Sequence, residues 1–322
     1  MLKYNIEVFV MENEKTYRAI EELIKKHDTI VIYHHIHADF DAYGSQLGLK
    51  HLIQDNYEGK TVYAFGSKDQ YHTDFIESMD DFDVDVVRNS LVFLLDTPTA
   101  NRVDGEGWNL GHKLVRIDHH PVVEAMASVD ASDSSASSTC QLVLEMAITL
   151  GWKISPTAAR YLYAGITDDT VRLTIDKVDS RLMFDLGILL KTPFSLHEVN
   201  RIMYDQNVNE FLQEGNLKNK VSFSGDFAYL LLRREDLEEL SISFEKAKEA
   251  VSLLGKIKGI QKYATIIQKE DMHYSASLRS HGPVINDIAA TYGGGGHPLA
   301  SGIGDLTEEQ VKELIYEMTE RR

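Results

Sequence analysis

Residues 29–45 read TIVIYHHIHADFDAYGS and join a short apolar run to a dense polar cluster. The first five residues are apolar or β-branched, which is typical of a buried β-strand. Three histidines and two aspartates follow before a helical pattern begins at residue 42. In open parallel sheets, ligands bind beyond the carboxyl ends of the strands. The stretch therefore predicts an α/β fold with a binding site at the end of this strand.

The same order of apolar strand and helix continues along the first part of the chain. We predict strands at residues 29–33, 61–65, 91–95 and 113–117, and helices at residues 14–26, 42–54, 137–150, 157–166, 181–190 and 196–212. Short apolar strands that alternate with helices favour a parallel sheet covered on both faces.

A second region begins after a polar stretch near residues 213–219. Its pattern predicts strands at residues 227–233, 263–268 and 274–278, and helices at residues 244–254, 284–292 and 308–320. A length of 322 residues also favours about two domains. We therefore predict a larger parallel-sheet domain (1–190), a linker (191–215) and a smaller α/β domain (216–322).

Charge and cysteine content limit the class of protein. The formal net charge is −17, and residues 1–211 carry 33 of the 50 acidic residues. This acidity disfavours a long nucleic-acid strand, which is normally bound by a basic surface. Cys140 is the only cysteine in the chain, so an intramolecular disulfide and a zinc site built on several cysteines are excluded.

The ends of the chain predict a cytoplasmic protein without a membrane span. The first residues, MLKYNIEVFVMENEK, lack the features of a signal peptide, and Met1 and Met11 are alternative starts. No stretch approaches the ~20 apolar residues that a membrane helix needs.

Polar residues follow three further elements of the first domain. Asp96 follows LVFLL, Asp118-His119-His120 follows KLVRI, and Asp168-Asp169 lies at the end of a predicted helix. Carboxylates gathered at one sheet edge repel one another, and a divalent cation offsets that repulsion. Imidazole and carboxylate ligands without sulfur suit Mn²⁺. The ligands exceed what one ion needs, which favours two metal ions about 3.5–4 Å apart, an arrangement used to split phosphoesters.

Each cluster alone has a structural explanation. A polar loop, a helix cap or a turn would account for any one of them. The occurrence of four clusters, each after a predicted element of one domain, favours the metal site.

These motifs resemble the DHH phosphoesterases, a family named for the triplet present here at residues 118–120. The family motifs appear as HIHADFDAYGS (35–45), LLDT (94–97), IDHHP (117–121) and GITDDT (165–170), and GGGGHPLASG (293–302) is similar to the glycine loop of the DHH-associated domain. The chain departs from the family at Ala38, where Pro is frequent, and at Val171, where Gly is frequent. The resemblance covers nearly the whole chain.

The resemblance implies two Mn²⁺ ions, with Mg²⁺ or Co²⁺ as substitutes. His35, Asp39 and Asp96 would bind one ion, and Asp96 would bridge to the other. The implied ligands of the second ion are Asp41, Asp96, His119 and Asp169. Asp118 would orient a histidine or a metal ligand, and His120 would face the phosphoryl group as a donor or acid. Asp168 is an alternative to Asp169, but the adjacent Thr170 favours Asp169 as the ligand.

The second domain is implied to bind the substrate nucleotide. Arg279 can hold a phosphate with two hydrogen bonds, and glycine amides can form a nest for an anion. The implied contacts are Arg279, Ser280, His281, Gly294, Gly295, Gly296 and His297, with Arg102 and Arg172 as weaker candidates. A glycine turn and surface arginines are the alternatives.

The resemblance implies hydrolysis of short oligoribonucleotides, of dinucleotides such as pApA, and of 3′-phosphoadenosine-5′-phosphate to AMP, in a cleft between the domains. A homodimer is common among relatives. The alternatives are a cyclic di-AMP phosphodiesterase, a manganese-dependent inorganic pyrophosphatase and a non-catalytic nucleotide sensor. An exonuclease for long strands is disfavoured, because no basic tract rich in aromatic residues is present.

Overall fold

A computed structural model describes residues 6–67 and 75–321, with only the backbone of residues 6–12. The first five residues of the stretch examined for a signal peptide lie outside these ranges. The chain forms two compact units, Met1–Asp205 and Gln206–Arg322. The division falls within residues 191–215, the range predicted as a linker.

The first unit contains a five-stranded parallel sheet. Its strands are β1 (Thr29–Tyr33), β2 (Thr61–Phe65), β3 (Leu91–Leu95), β4 (Lys113–Ile117) and β5 (Val129–Asp130), in the order β2-β1-β3-β4-β5. The four predicted strands are confirmed at both ends. The helices are α1 (Ile6–Lys26), α2 (Phe40–Asn56), α3 (Val84–Arg88), α4 (Thr139–Leu150), α5 (Pro156–Asp169), α6 (Ser180–Leu189) and α7 (Leu196–Tyr204).

Both faces of this sheet are buried. Ile30 and Phe93 pack in one apolar cluster, whereas Val31 and Leu94 pack in another. Neighbouring residues of a strand point to opposite faces, so each strand contributes to both clusters. Burial of each such side chain contributes roughly 1.5–3 kcal/mol relative to exposure. The predicted α/β class, with helices on both faces of a parallel sheet, is confirmed.

Helices α2 and α5 cross at very short range. A Cβ atom on Gly44 would lie 2.6 Å from the carbonyl oxygen of Tyr161, and one on Gly165 would lie 2.8 Å from the Cα of Asp41. Real Cβ atoms do not approach backbone this closely. The crossing therefore requires glycine on both helices.

The second unit is a small α/β domain, as predicted. Its sheet runs in the order β10-β11-β9-β8-β7-β6, with β7 and β8 parallel and the other pairs antiparallel. The strands are β6 (Ser222–Ser224), β7 (Phe227–Leu232), β8 (Lys262–Gln268), β9 (Tyr274–Ser280), β10 (Gly295–His297) and β11 (Ala300–Leu306). The helices are α8 (Val208–Asn219), α9 (Arg234–Leu240), α10 (Phe244–Glu249), α11 (Val251–Leu254), α12 (Asn286–Thr291) and α13 (Glu308–Glu320).

Three predicted helices differ from the structure by more than three residues at an end or by a break. The helix predicted at 14–26 already begins at Ile6. The single helix at 196–212 is two helices, because Asn207 and Glu210 form a capping box that starts α8 afresh. The polar stretch at 213–219 belongs to α8 and is helical. The helix at 244–254 is divided at Ala250, which ends α10 and precedes α11.

Among the helices of the described ranges, none combines the length and the apolar character needed to span a bilayer.

Candidate metal centre and substrate surface

Four polar segments meet at the carboxyl edge of the parallel sheet, and one of them is Asp168-Asp169 at the end of α5. His35 lies two residues beyond β1, Asp96 follows β3 directly, and Asp118 follows β4 directly. Asp39 caps the first turn of α2 through hydrogen bonds from the amides of Asp41 and Ala42. The strand and helix ends therefore position these side chains.

Asp96 is the centre of the cluster. Its Oδ2 lies 3.3 Å from Nε2 of His35, and its Oδ1 lies 3.5 Å from Nε2 of His119. His119 also reaches Oδ2 of Asp169, at 3.1 Å. The Asp96 backbone has a φ of 53°, in the left-handed region, and its side chain is buried. Aspartate adopts this conformation more readily than most residues, so the chain can turn at the site without glycine.

Among the described residues, three groups of side chains bring their ligand atoms within 4.8 Å of one another. They are His35, Asp39 and Asp96; Asp41, His119 and Asp169; and Asp96, His119 and His120. The first group matches the ligand set expected for one metal ion. The second contains three of the four ligands expected for the other, and the third joins Asp96 to His119.

The charges of this cluster fit a cationic ligand. Burial and the neighbouring carboxylates raise the pKa of Asp39 and of Asp41, and they raise the pKa of Asp169 to about 10. Burial also acts on Asp96, but hydrogen bonds from His120 and His35 outweigh it and lower its pKa. The carboxyl groups of Asp39, Asp41 and Asp169 thus favour the protonated form when no cation is bound. A divalent cation would allow them to ionise.

The hydrogen bonds of His35 also fit the binding of a divalent cation. Its Nδ1 lies 2.8 Å from the carbonyl oxygen of Ile36 and donates to it. Nε2, which faces Asp39 and Asp96, carries the proton of the hydrogen bond to Asp96, and loss of this proton would free its lone pair for a metal ion. A backbone acceptor on the far nitrogen is the usual way in which proteins orient a metal-binding histidine. The residues therefore fit a metal centre at this edge.

His120 is held by Asp118. Oδ1 of Asp118 accepts hydrogen bonds from the ring Nδ1 of His120 and from its backbone amide. The hydrogen bonds to Asp118 and to Asp96 raise the pKa of His120 to about 10. His120 is thus a partly exposed cation beside the cluster, with its Nε2–H free of these two bonds.

The carboxylate of Asp41 lies against the start of α4. Its Oδ2 accepts from the amide of Thr139 at 2.7 Å, and its Oδ1 accepts from the amide of Cys140 at 2.9 Å. Sequence reasoning missed this contact. Ser138, followed by an apolar run, signals a helix start, but that signal does not reveal which carboxylate the amides bind.

The segment after Asp169 has an unusual backbone. Val171, Arg172 and Leu173 all have positive φ, of 47°, 60° and 61°. Val171 occupies the position where DHH phosphoesterases frequently have glycine, so a β-branched residue adopts a conformation that favours Gly. The guanidinium of Arg172 lies 3.8 Å from the ring centre of Tyr204. Arg102 lies nearer the cluster, with Nη2 3.4 Å from Nδ1 of His35.

Within the second unit, Arg279 and His297 line a concave surface of about 540 Å³ on β9 and β11. Lys248 of α10 lines it as well, together with Ser275, Ser277 and Ser301. No Asp or Glu occurs among its lining residues in the described part of the chain. Sequence reasoning missed Lys248, which belongs to an amphipathic helix and carries no distinguishing signal. The surface suits an anionic ligand.

Ser280 and His281 do not join this surface. Ser280 is buried on the other face of β9 from Arg279, because side chains alternate along a strand, and its Oγ accepts from the amide of Gly282. The ring Nε2 of His281 lies 2.9 Å from the carbonyl oxygen of Gly255. Their side chains are therefore occupied elsewhere in the second unit.

The glycine loop is a β-hairpin, not an open nest. Gly295 and Gly296 belong to β10 and pair with Gly302 and Ser301 of β11. The amide of Gly294 is already bonded to the carbonyl of Ala289 at the end of α12. A Cβ atom on Gly296 would lie 2.5 Å from the carbonyl oxygen of Ala300. Close packing accounts for Gly294 and Gly296, whereas a Cβ atom on Gly295 would meet no atom within 4 Å. His297 at the end of β10 reaches the concave surface.

Two family models match the chain. Residues 29–166 match the model described as DHH family, N-terminal domain, and residues 227–321 match the DHHA1 domain.

Curated relatives align over nearly their whole length. The chain is 32% identical over 299 residues to the bifunctional oligoribonuclease and PAP phosphatase NrnA of Bacillus subtilis, which covers 92% of this chain and 95% of that protein. It is 32% identical over 304 residues to the probable bifunctional oligoribonuclease and PAP phosphatase NrnA of Streptococcus mutans. That alignment covers 94% of this chain and 97% of that protein. Among solved structures, an exopolyphosphatase-related protein from Bacteroides fragilis superimposes with a TM-score of 0.83 at 23% identity, over 95% of this chain and 96% of that chain. The last comparison shows that the fold is shared.

Proposed function

The chain belongs to the DHH family, and on that premise we propose that it is a manganese-dependent phosphoesterase of short ribonucleotides. It hydrolyses short oligoribonucleotides, including dinucleotides such as pApA, to mononucleotides, and 3′-phosphoadenosine-5′-phosphate to AMP. The names of the two curated relatives, which align over more than nine-tenths of this chain, support both activities. The observation that carries the proposal is the position of Asp96 between His35 and His119, which joins two groups of ligand atoms.

We assign two Mn²⁺ ions to this cluster. His35, Asp39 and Asp96 hold one, and the ligands of the other are Asp41, Asp96, His119 and Asp169. Divalent ions held there would supply positive charge for the phosphoryl oxygens and would lower the pKa of a bound water to about 7. Imidazole and carboxylate donors without thiolate favour Mn²⁺ over softer metals.

His120 acts on the phosphoryl group. Its Nδ1 is bonded to Asp118, so a proton on Nε2 can be donated to a phosphoryl oxygen or to the leaving oxygen. Asp118 holds the ring through Nδ1 and fixes the direction of that donor. The pair therefore provides a preorganised hydrogen-bond donor beside the carboxylates.

The concave surface of the second unit recognises the nucleotide. Arg279 supplies the guanidinium for a phosphate, and Lys248 and His297 add further donors. A net charge of −17 disfavours a long strand, which would need a basic surface along its backbone. A short substrate held by its terminal nucleotide does not need such a surface.

The decisive experiment is a substrate panel with Mn²⁺. It compares 3′-phosphoadenosine-5′-phosphate, pApA, cyclic di-AMP, inorganic pyrophosphate and RNAs of two to about five nucleotides, a range chosen because terminal recognition favours short chains. We expect the highest kcat/KM for the short linear RNAs and the bisphosphate. Preference for cyclic di-AMP or pyrophosphate would select the corresponding alternative enzyme, and binding of nucleotide without hydrolysis would select the sensor.

A further inference from the structure

Thr139, the first residue of α4, contacts two of the proposed metal ligands at once. Its Oγ1 donates to Oδ1 of Asp96 at 3.0 Å, and its amide donates to Oδ2 of Asp41 at 2.7 Å. All three side chains are buried, with at most 1% exposed. Asp96 and Asp41 come from different segments of the first unit, so one residue ties together two carboxylates that lie 55 positions apart in the sequence.

Local structure fixes Thr139 in this position. Ser138 caps α4, and its Oγ accepts from the amide of Gln141. The amides of the first turn have no acceptor within the helix, and two of them are used by Asp41. The hydroxyl of Thr139 is therefore held where Asp96 lies and does not serve as the helix cap.

We propose that Thr139 is a positioning residue that orients Asp96 and Asp41 for metal binding. The inference rests on the proposed metal role of these two carboxylates. Side chains that hold metal ligands in place typically change metal affinity or activity by about 10- to 100-fold when they are replaced. Thr139 touches neither the phosphoryl group nor the nucleotide in this scheme, so it acts through its two partners.

The hydroxyl is tested by Thr139→Val, which keeps the shape and the amide but removes the donor to Asp96. Titration of Mn²⁺ into the full chain, followed by electron paramagnetic resonance of free Mn²⁺, should show binding weakened by about 10-fold or more. Thr139→Ser restores the donor and should bind within about threefold of the unchanged protein, since only a methyl group is lost. Thr149→Val on the same helix is the matched control, because the hydroxyl of Thr149 has no hydrogen-bond partner within the described residues.

The amide is tested by Thr139→Pro. Proline is well tolerated at the first position of a helix, and Ser138 is already extended, as a residue before proline prefers. This variant lacks both donors to the carboxylates, and its ring Cδ takes the place of the amide hydrogen beside Oδ2 of Asp41. It should therefore bind Mn²⁺ more weakly than Thr139→Val. Equal binding by the two variants would show that the amide does not position Asp41.

The outcomes separate this inference from the proposed function. Mn²⁺ binding by Thr139→Val equal to that of the unchanged protein, with a native circular dichroism spectrum, would overturn the inference whatever the substrate. Should Thr139→Val lose that spectrum, Thr139→Ala, which only removes atoms, replaces it under the same criterion.

Mn²⁺ binding without hydrolysis of any substrate in the panel would overturn the proposed function and leave the positioning role intact. For the active enzyme at limiting Mn²⁺, kcat should fall in Thr139→Val while KM for the short RNA stays unchanged.

Discussion

Oδ1 of Asp118 lies 2.8 Å from the ring Nδ1 of His120 and also accepts the backbone amide of the same residue, so one oxygen fixes both the ring and the main chain of His120. We expect Asp118→Ala and His120→Gln each to lower kcat by about 10²-fold, the lower end of what a general acid contributes. Because the two residues act as a unit, the double variant should be no worse than His120→Gln.

Steady-state kinetics on a dinucleotide at saturating Mn²⁺ checks this non-additivity. Multiplied losses in the double variant would show that Asp118 and His120 act independently. Mn²⁺ titration of the same variants serves as the control, since neither residue is among the ligands assigned to the two ions.

Asp168 and Asp169 are adjacent carboxylates with different surroundings. Asp169 lies 3.1 Å from His119, whereas Oδ2 of Asp168 accepts from the amide of Phe40 at 3.2 Å. Asp169→Asn should therefore lose one of two bound Mn²⁺ ions and at least about 10²-fold in kcat. Asp168→Asn, the matched control, should keep both ions. Equilibrium dialysis with metal analysis counts the ions, and the reverse result would assign the ligand to Asp168.

Arg279 and Ser280 are neighbours on opposite faces of β9. Arg279→Ala should raise KM for a dinucleotide by about 10-fold or more, because a charged hydrogen bond to phosphate is lost. Ser280→Ala should leave KM unchanged, since its side chain faces the buried side of the sheet. An equal effect of both substitutions would mean that KM responds to the stability of β9 and not to phosphate binding.

Val171 has a φ of 47° and is 58% exposed, so its side chain gains little from packing to offset the left-handed backbone. Val171→Gly should raise the free energy of unfolding by about 1 kcal/mol, as the strain of a branched side chain in this region is removed. Val122→Gly is the comparison, at an exposed residue without positive φ, and should lower stability slightly. Urea unfolding of both variants measures the difference, and a loss of stability in Val171→Gly would contradict the strain.

Asp185 is buried beside Glu145, and these surroundings raise its pKa to about 9. The native state therefore keeps a proton that the unfolded chain releases above about pH 4. Stability should fall as pH rises from about 5 towards 9, by about 1 kcal/mol per pH unit. Asp185→Asn imitates the protonated group and should flatten this slope in urea unfolding at several pH values. An unchanged slope would show that Asp185 is ionised in the native state.

The sequence predicted the strands of the first unit well, because short apolar runs bounded by polar residues leave little choice of ends. The resemblance to DHH phosphoesterases implied that Asp96 and His119 belong together, and the structure places them after the neighbouring parallel strands β3 and β4. Breaks within helices were missed, as at Asn207, where a capping box of two polar residues outweighs a continuing amphipathic pattern.

The hydrogen bonds from backbone amides to the carboxylate of Asp41 could not be predicted from the sequence. The roles of Thr139 and Cys140 depend on where α4 begins relative to Asp41, which is set by tertiary packing. Ser280 was assigned to the substrate surface by its place next to Arg279, whereas alternation along the strand sends the two side chains to opposite faces.

Gly44 and Gly165 bring the backbones of α2 and α5 together, and Asp41 and Asp169 lie on these same two helices. No side chain separates the two backbones at this crossing, and a Cβ atom on either glycine would force the helices apart. The separation of the two carboxylates is thus set by main-chain contact, which thermal motion of loops does not alter. Insertions or substitutions in the surface loops can change which nucleotide is accepted while the spacing of these two groups is preserved, so new specificities can evolve on this scaffold without rebuilding its chemistry.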